Sequence, residues 1–423
     1  MLYNAYELQR FWFAGASAWA DASAEWLNNP SNPLSYSAMS PMVGSALEVF
    51  AHAAAPRGKP DFGFSSVGVD GVDYSVEEEI ILRKPFGQLK HFSRVGAPPA
   101  EKVLIIAPMS GHYATLLRGT AERMLPAHDV YITDWRDAKL VPVEDGHFDL
   151  DDYIDYLIEF LDVIGPGAHV IAVCQPSVPA LAAVALMSAE NHPALPASLT
   201  MMGGPIDTRE APTAVNQLAT ARPLSWFQQN VIATVPYLYP GSRRRVYPGF
   251  LQLAGFMTMN LGNHLISHWE MFRHLVDGDD ESADATKGFY DEYRSVCDMT
   301  AEFYLQTIET VFQQHLLPKG EMRHRGRHVD VGAITDVALL AVEGERDDIS
   351  GLGQTRAALK IATNLADEKK QYLMAHRVGH YGIFNGRRWR EEIAPVVEKF
   401  IATHARPHAG GNVHPIEGHR KAG

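Results

Sequence analysis

The sequence predicts an α/β protein with a mostly parallel central sheet, and three observations lead to this fold class. Short apolar runs alternate with helical segments from Val103 onward, which is the pattern of parallel strands joined by crossover helices. The run at 170–173 stops at Cys174, and an alanine-rich helix over 176–189 follows at once. A long aromatic-rich segment then interrupts the alternation until the next apolar run at 337–342.

Composition excludes several classes of protein. The chain has 423 residues, more than one compact core of ordinary size, so a main domain with an insertion or flanking segment is expected. A content of 46% hydrophobic and 21% charged residues is typical of a soluble globular protein. The net charge of −13 argues against a nucleic-acid partner, which requires clustered Lys and Arg.

Cysteine content and the apolar runs bear on the compartment. Cys174 and Cys297 are too few for a disulfide framework and suit a reducing compartment. No run approaches the roughly 18 apolar residues of a membrane span, and the first 12 residues lack the basic start and apolar stretch of a signal peptide. We therefore expect a cytoplasmic protein without a transmembrane segment.

The order of the elements divides the chain into four regions. Residues 1–60 are expected to form a helical extension on a core made of 61–206 and 332–405. Residues 207–331 are predicted to be a cap above the carboxyl ends of the strands, where ligands bind in open α/β sheets. Residues 406–423 are expected to be a disordered tail, and the irregular spacing of their histidines predicts no metal site.

Apolar periodicity and turn residues also predict the individual elements. Strands are predicted at 67–76, 77–84, 86–94, 103–107, 130–133, 170–173, 199–202, 337–342 and 371–374, and core helices at 114–125, 150–164, 176–189, 351–363 and 390–403.

The stretch around Cys174 predicts a nucleophile. A strand that turns sharply into a helix with a nucleophilic side chain at the corner is the nucleophile elbow of the α/β-hydrolase fold. The positive end of the helix dipole favours the thiolate, which is the attacking species. Pro176 suits the first helical position, and the Gln175 N–H is then a donor for an oxyanion. The alternative is that Cys174 is a small buried apolar residue.

Two further residues complete a catalytic arrangement. Cys174, Asp347 and His380 follow in the order nucleophile, acid and histidine, each just past a predicted strand, as in α/β-hydrolases. His380 would move the thiol proton, and Asp347 would hold the imidazole in one tautomer. Asp348 competes with Asp347 for that role, and Ser177 is a weaker candidate nucleophile because it is expected a turn inside the helix.

The remaining site predictions concern backbone donors and the cap. The second oxyanion donor is expected in the loop after the strand at 103–107, at the Met109 N–H or at Ser110. Cap aromatics are candidates for substrate binding, and Trp226, Tyr237 and Tyr239 are named among them. The alternative is that these rings form the core of the cap.

Several motifs resemble those of the intracellular polyhydroxyalkanoate depolymerases. The resemblance includes Asp134-Trp135-Arg136, Val173-Cys174-Gln175-Pro176-Ser177 and Gly379-His380-Tyr381-Gly382, and extends from Tyr6-Glu7-Leu8 to all but the last 20 or so residues. The spacing Gly344-x-x-Asp347-x-Ile349 resembles a pattern of this and related families, which favours Asp347 over Asp348. Ala172 and Pro176 depart from the Gly-x-Ser-x-Gly elbow of lipases.

The resemblance implies an α/β-hydrolase with a cap that cleaves stored poly(3-hydroxybutyrate) on cytoplasmic granules, with cysteine as nucleophile. It implies the granule surface as partner, no cofactor, and coenzyme A only as an optional co-substrate. Two alternatives remain: a polyhydroxyalkanoate synthase-like acyltransferase, whose elbow resembles Gly-x-Cys-x-Gly-Gly, and a non-catalytic granule-associated protein. The sequence leaves a homo-oligomer open.

Overall fold

A computed structural model describes residues 2–37, 39–259, 271, 273–274, 287–288 and 290–406. The predicted tail beyond Arg406 and part of the predicted cap lie outside these residues. Among the described helices, none is both long enough and apolar enough to cross a membrane.

The strands follow the alternation seen in the sequence. In chain order they are β1 (Ser66–Val69), β2 (Val72–Lys84), β3 (Gly87–Arg94), β4 (Lys102–Ile106), β5 (Asp129–Trp135), β6 (His169–Val173), β7 (Ser198–Met202), β8 (Ala233–Thr234), β9 (Arg245–Tyr247), β10 (Met299–Thr300), β11 (Arg323–His324), β12 (Arg327–His328), β13 (Ala338–Gly344) and β14 (Lys370–Ala375).

The helices of the described residues are α1 (Leu2–Asn28), α2 (Ser40–Ala54), α3 (Arg118–Met124), α4 (Leu150–Ile164), α5 (Ser177–Ala189), α6 (Ala214–Ala221), α7 (Leu224–Asn230), α8 (Gly249–Met259), α9 (Ala301–Thr307), α10 (Ala357–Ile361), α11 (Gly386–Arg388) and α12 (Ala394–His404). Two π-helical segments, Ile308–Gln313 and Trp389–Ile393, continue α9 and α11.

Nine strands form one mostly parallel sheet in the order β1-β2-β3-β5-β4-β6-β7-β13-β14. The first three strands pair antiparallel, and those from β5 to β14 pair parallel. Strands β6, β7 and β13 are buried along their whole length, as parallel strands are when helices cover both faces. The fold is that of an α/β-hydrolase with an N-terminal helical extension.

The strand order creates the place for a site. Strands β5 and β6 lie on opposite sides of β4, so the connections through α3 and α4 run in opposite directions. Because such connections are right-handed, the two helices cover opposite faces of the sheet, and a crevice opens at the carboxyl end of β4. A bidentate pair between Arg123 and Glu398 ties α3 to α12.

The residues of the predicted cap form a mixed layer. Helices α6 to α9 accompany a three-stranded sheet in the order β10-β9-β8 and a two-stranded hairpin of β11 and β12. The mostly helical cap of the prediction therefore also contains short strands.

Two predicted elements differ from the structure. The break between the first two strands lies at Asp70-Gly71, not at residues 76–77, because both residues have positive φ (50° and 82°) and form a tight hairpin turn. The predicted helix at 351–363 shrinks to α10. The carboxylate of Glu343 explains this, since it accepts hydrogen bonds from the N–H groups of Gly353 and Arg356 and holds this segment in turns.

A buried acidic cluster anchors the N-terminal hairpin of α1 and α2. The Tyr3 hydroxyl donates to Asp298 Oδ2 (2.5 Å), and the Gly249 N–H donates to Asp298 Oδ1 (3.0 Å). The Asp298 N–H donates to Asp137 Oδ1 (3.1 Å), and Lys139 pairs with Asp137. Burial, together with the negative charge of Asp137, raises the pKa of Asp298 to about 7.

We predict that Asp298 makes stability fall as pH rises. A carboxyl whose pKa is higher in the folded state stabilises it fully below its unfolded pKa, and this stability is lost as pH rises toward 7. Asp298→Asn keeps a polar side chain there without the charge, so the variant is expected to exceed the wild type by about 1–3 kcal/mol at pH 8 and not at pH 4. Urea unfolding across this range measures the gap, and parallel curves would contradict the prediction.

Candidate functional site

Cys174 lies at a strained bend between β6 and α5. Its φ of 66° falls in the left-handed region, which is costly for a residue with a Cβ and is retained mostly at functional positions. The Cys174 N–H donates to the Met202 carbonyl on β7 (2.7 Å), and the Ser177 N–H donates to the Cys174 carbonyl (3.0 Å). This strand–turn–helix geometry is that of a nucleophile elbow. Helix α5 begins at Ser177, so Pro176 is the N-cap residue and not the first helical residue that was predicted.

Gly203 and Gly204, directly after β7, leave room for the elbow and its partners. A Cβ on Gly204 would lie 2.1 Å from Ser177 Oγ and 3.2 Å from the Cys174 carbonyl oxygen. Gly203 has a φ of +60°, and a Cβ there would lie 3.2 Å from Asp347 Oδ2. Two glycines after a buried strand signal a close backbone approach, and the sequence analysis did not use this signal.

Asp347 holds the imidazole of His380. Asp347 Oδ2 lies 2.7 Å from His380 Nδ1, and both side chains are buried. The other carboxylate oxygen accepts hydrogen bonds from the N–H groups of Ile349 (2.9 Å) and Ser350 (2.8 Å), which fix its orientation. Asp348, the competing candidate, instead exerts its charge on the hydroxyls of Tyr293 and Tyr381.

The imidazole of His380 is bonded to Asp347, and His380 and Cys174 line the same cavity. Burial opposes the protonated form of His380, but the charge of Asp347, with a smaller contribution from Cys174, outweighs burial and raises the pKa of His380 well above its usual value. An imidazole with this preference for a proton is a competent acceptor for the thiol proton.

Ser177 is excluded as a nucleophile by its position. It begins α5, whereas the prediction placed it a turn inside the helix. Its side chain is fully buried, and its hydroxyl donates to the Ala172 carbonyl (3.4 Å) behind the elbow. The hydroxyl therefore points into the protein core.

The predicted oxyanion donors lie beside the elbow. The Met109 N–H donates to Oε1 of the Gln175 side chain (3.1 Å), so this donor already has a carbonyl-type acceptor. Among the described residues we find no acceptor for the Gln175 N–H. Ser110 lies in the same loop, and its carbonyl accepts a hydrogen bond from the Gln252 side chain of α8. A substrate oxyanion would have to replace the side-chain oxygen of Gln175 as the acceptor of the Met109 N–H.

An apolar cavity of about 410 Å³ opens above Cys174 and His380. Its aromatic wall comes from both the core and the segment between β7 and β13, and comprises Phe227, Tyr247, Tyr304, Phe312, Tyr381 and Phe384. Trp226, Tyr237 and Tyr239 do not line it. Trp226 packs on Phe227 behind the wall, Tyr237 is 81% exposed, and the Tyr239 hydroxyl donates to Glu7.

Cys297 provides an internal contrast to Cys174. It is fully buried, its thiol donates to the His112 carbonyl (3.5 Å), and burial raises its pKa well above the usual value. The more accessible Cys174 faces an imidazole instead. The two thiols should therefore differ strongly in reactivity.

Comparison with known proteins finds partial matches. The family described as PHB de-polymerase C-terminus matches residues 203–405, a stretch that begins after Cys174 and includes Asp347 and His380. The poly(3-hydroxyalkanoate) polymerase subunit PhaC of Haloarcula marismortui is 24% identical over 246 residues, which are 55% of this chain and 46% of that protein. The chain thus matches about half the length of this relative.

Solved structures resemble the chain at low identity. A putative lipase from Acinetobacter baumannii is 14% identical with a TM-score of 0.42, and the match covers 78% of this chain and 93% of that one. DcsB in complex with a substrate analogue is 13% identical with a TM-score of 0.46, and the match covers 78% of this chain and 99% of that one.

Asp347 and Asp348 form a matched pair for mutation. Asp347→Asn removes the charge that favours the imidazolium and is expected to lower kcat on a soluble ester such as p-nitrophenyl butyrate by about 10³–10⁴-fold. Asp348→Asn should change kcat less than about threefold, because Asp347 is the carboxylate bonded to Nδ1 of the imidazole. Equal losses in the two variants would contradict this assignment.

We also predict selective alkylation. Iodoacetamide at neutral pH should add one carbamidomethyl group per native chain, at Cys174 and not at Cys297, and the loss of esterase activity should follow it in time. His380→Ala should slow the modification at least about tenfold, because the thiol loses its proton acceptor. Peptide mass spectrometry identifies the modified residue, and an inert Cys174 would contradict the prediction.

Proposed function

We propose that this protein is a cysteine-nucleophile esterase that cleaves storage poly(3-hydroxybutyrate) to 3-hydroxybutyrate or its oligomers. One observation carries the proposal: Cys174, held at a strained bend, faces the His380–Asp347 pair at the base of an apolar cavity. The matched family description, which names a PHB depolymerase, supports the substrate class.

The acylation step uses these three side chains. The Cys174 sulfur attacks the ester carbonyl carbon while His380 takes the thiol proton at Nε2. The tetrahedral intermediate collapses to a thioester, and the same proton passes to the leaving alkoxide. Asp347, bonded to Nδ1, stabilises the imidazolium and keeps Nε2 directed at the sulfur.

The deacylation step runs the same groups in reverse. His380 removes a proton from water, the hydroxide attacks the thioester carbonyl, and the C–S bond breaks. The proton returns to the sulfur, and the carboxylic acid leaves. The N–H groups of Gln175 and Met109 are proposed to bind the oxyanion in both steps, once the Gln175 side chain has turned away from Met109.

The cavity suits a neutral, methyl-bearing polyester. Its wall is aromatic and aliphatic, and besides three tyrosines the ionisable side chains that line it, among the residues that the structure describes, are Cys174, His380 and His112. Burial lowers the pKa of His112 to about 4, so this residue is neutral at physiological pH. An entering ester chain therefore desolvates no charge at His112. The proposed location is the surface of polyhydroxyalkanoate granules in the cytoplasm.

A synthase-like acyltransferase is the second candidate, because the matched curated relative is a polymerase subunit. A Cys-Asp-His arrangement could equally transfer the acyl group to a hydroxyl. The elbow favours hydrolysis, since Ala172 and Pro176-Ser177 replace the glycines of the Gly-x-Cys-x-Gly-Gly pattern of synthases. A third reading, a non-catalytic granule protein, does not account for the strained bend at Cys174.

Product analysis tests the proposal. Amorphous poly(3-hydroxybutyrate) incubated with the wild type should release 3-hydroxybutyrate or its oligomers, detected by mass spectrometry. Cys174→Ala should reduce release by at least about 10³-fold, because the covalent route is lost. Parallel reactions with coenzyme A distinguish water from a thiol as the acceptor, since thiolysis would yield an acyl-CoA.

The same preparation discriminates between the candidates. Polymer growth from 3-hydroxybutyryl-CoA, with no release from polymer, would favour the synthase. Full polymer cleavage by Cys174→Ala would refute cysteine catalysis, and no turnover of either substrate would favour the granule protein.

A further inference from the structure

In helix α1 of the N-terminal hairpin, small side chains face the protein and large apolar side chains face outward. Its buried side chains are mostly small, and comprise Ser17, Ala20 and Ala24 together with Tyr3. Its exposed large apolar side chains comprise Leu8, Phe11, Trp12, Trp19 and Trp26, together with Leu2 and Phe13. Trp12 and Trp19 are 69% and 67% exposed.

Five of these exposed side chains form one stripe. At 100° per residue, Leu8, Phe11, Trp12, Trp19 and Trp26 fall within an arc of about 100°, and the small buried residues lie on the opposite side, as do Leu2 and Phe13. A helix that packs only on its own protein turns its large apolar residues inward. The reversed pattern means that the outer side of α1 is built to contact something else.

Helix α2 repeats the arrangement. Ser40, Gly44 and Ala51 are buried. Gly44 allows a close approach of Asn28 of α1, because a Cβ on Gly44 would lie 2.6 Å from Asn28 Oδ1. Met42 and Val43 are exposed. The hairpin therefore presents large apolar residues on the outside of both helices. We call the exposed set Leu8, Phe11, Trp12, Trp19, Trp26, Met42 and Val43 the hairpin stripe.

The charges of the hairpin indicate what kind of surface it fits. Residues 2–54 contain four acids, Glu7, Asp21, Glu25 and Glu48, and one strong base, Arg10. Arg10 is engaged by Glu7 and by the Tyr239 hydroxyl. Binding to anionic lipid relies on basic residues beside the apolar face, and this hairpin has none to offer. An uncharged apolar body is the complementary partner.

The hairpin also adjoins the candidate site. Tyr6 of α1 stacks on Phe250 of α8 with ring centroids 3.9 Å apart. Two residues further along α8, Gln252 lines the catalytic cavity and bonds the loop that carries Ser110. Helix α8 thus connects the cavity to the inner side of α1, opposite the exposed stripe.

We propose that the hairpin stripe is the surface by which this protein docks on the amorphous polyester itself, in preference to anionic lipid. This inference rests on the proposed function for the identity of the polymer. The burial of aromatic side chains against a neutral polyester drives the docking.

Binding of the full chain to protein-free amorphous poly(3-hydroxybutyrate) particles tests the proposal. The triple variant Trp12→Gln, Trp19→Gln, Trp26→Gln should weaken binding at least about tenfold in co-sedimentation, with an unchanged melting temperature. The control triple variant Val72→Gln, Val95→Gln, Val163→Gln replaces exposed apolar residues elsewhere and should change binding less than about twofold. Both triples should hydrolyse p-nitrophenyl butyrate like the wild type.

Further measurements separate the alternatives. Cys174→Ala should bind the particles like the wild type. If the wild type binds the particles but does not cleave the polymer, the proposed function is rejected and the docking surface is retained. Stronger binding to anionic phospholipid vesicles than to polymer would overturn the proposal. Normal binding of polymer by the triple tryptophan variant would also overturn the proposal. If that variant is then a monomer where the wild type is a dimer, the hairpin stripe is the contact with a second copy of the chain.

Discussion

The geometry of the candidate site depends on the left-handed backbone of Cys174. A residue with a Cβ adopts this conformation only where its surroundings enforce it. Here the enforcing contacts are the hydrogen bond to the Met202 carbonyl, the first turn of α5, and the two glycines after β7 that let both approach. Gly203 of this pair also lies beside Asp347 and His380. The bend and the acid–base pair are therefore supported by one short segment, and a change there would disturb both.

Electrostatics at the site follow from burial. His380 and Asp347 lie in a region from which solvent is largely excluded, so their mutual attraction is strong enough to overcome the cost of burying an imidazolium. At His112, burial outweighs hydrogen bonds to the backbone of Tyr293 and Ser110 and lowers the pKa to about 4. Two buried histidines at one cavity thus have opposite proton preferences. The carboxylate that favours the proton on His380 is itself oriented by two backbone N–H groups.

The N-terminal hairpin obeys a different rule from the core. In α4, the large apolar residues face inward and a capping box of Asp149 and Asp152 begins the helix, as expected for an element held by its own protein. In α1, the small residues face inward, and the hairpin is anchored at one end by Tyr3 on buried Asp298. The hydrogen bond from Tyr3 to Asp298 holds the hairpin, while the exposed aromatic side chains of α1 remain on its outer side.

The sequence by itself determined the strand–helix alternation, the elbow at Cys174 and the order of the three candidate catalytic residues, because each depends on local periodicity or on a short motif. It did not decide between Asp347 and Asp348, since neighbouring carboxylates differ only in which one the tertiary fold turns toward His380. It also misjudged the cavity. Trp226, Tyr237 and Tyr239 are aromatic like the residues of the cavity wall. The wall is instead formed by residues that include Tyr247, Tyr304 and Phe312, because burial depends on how distant segments pack. The engagement of Met109 by the Gln175 side chain and the outward direction of the α1 aromatics were likewise settled only in three dimensions, where contacts between remote residues override local pattern.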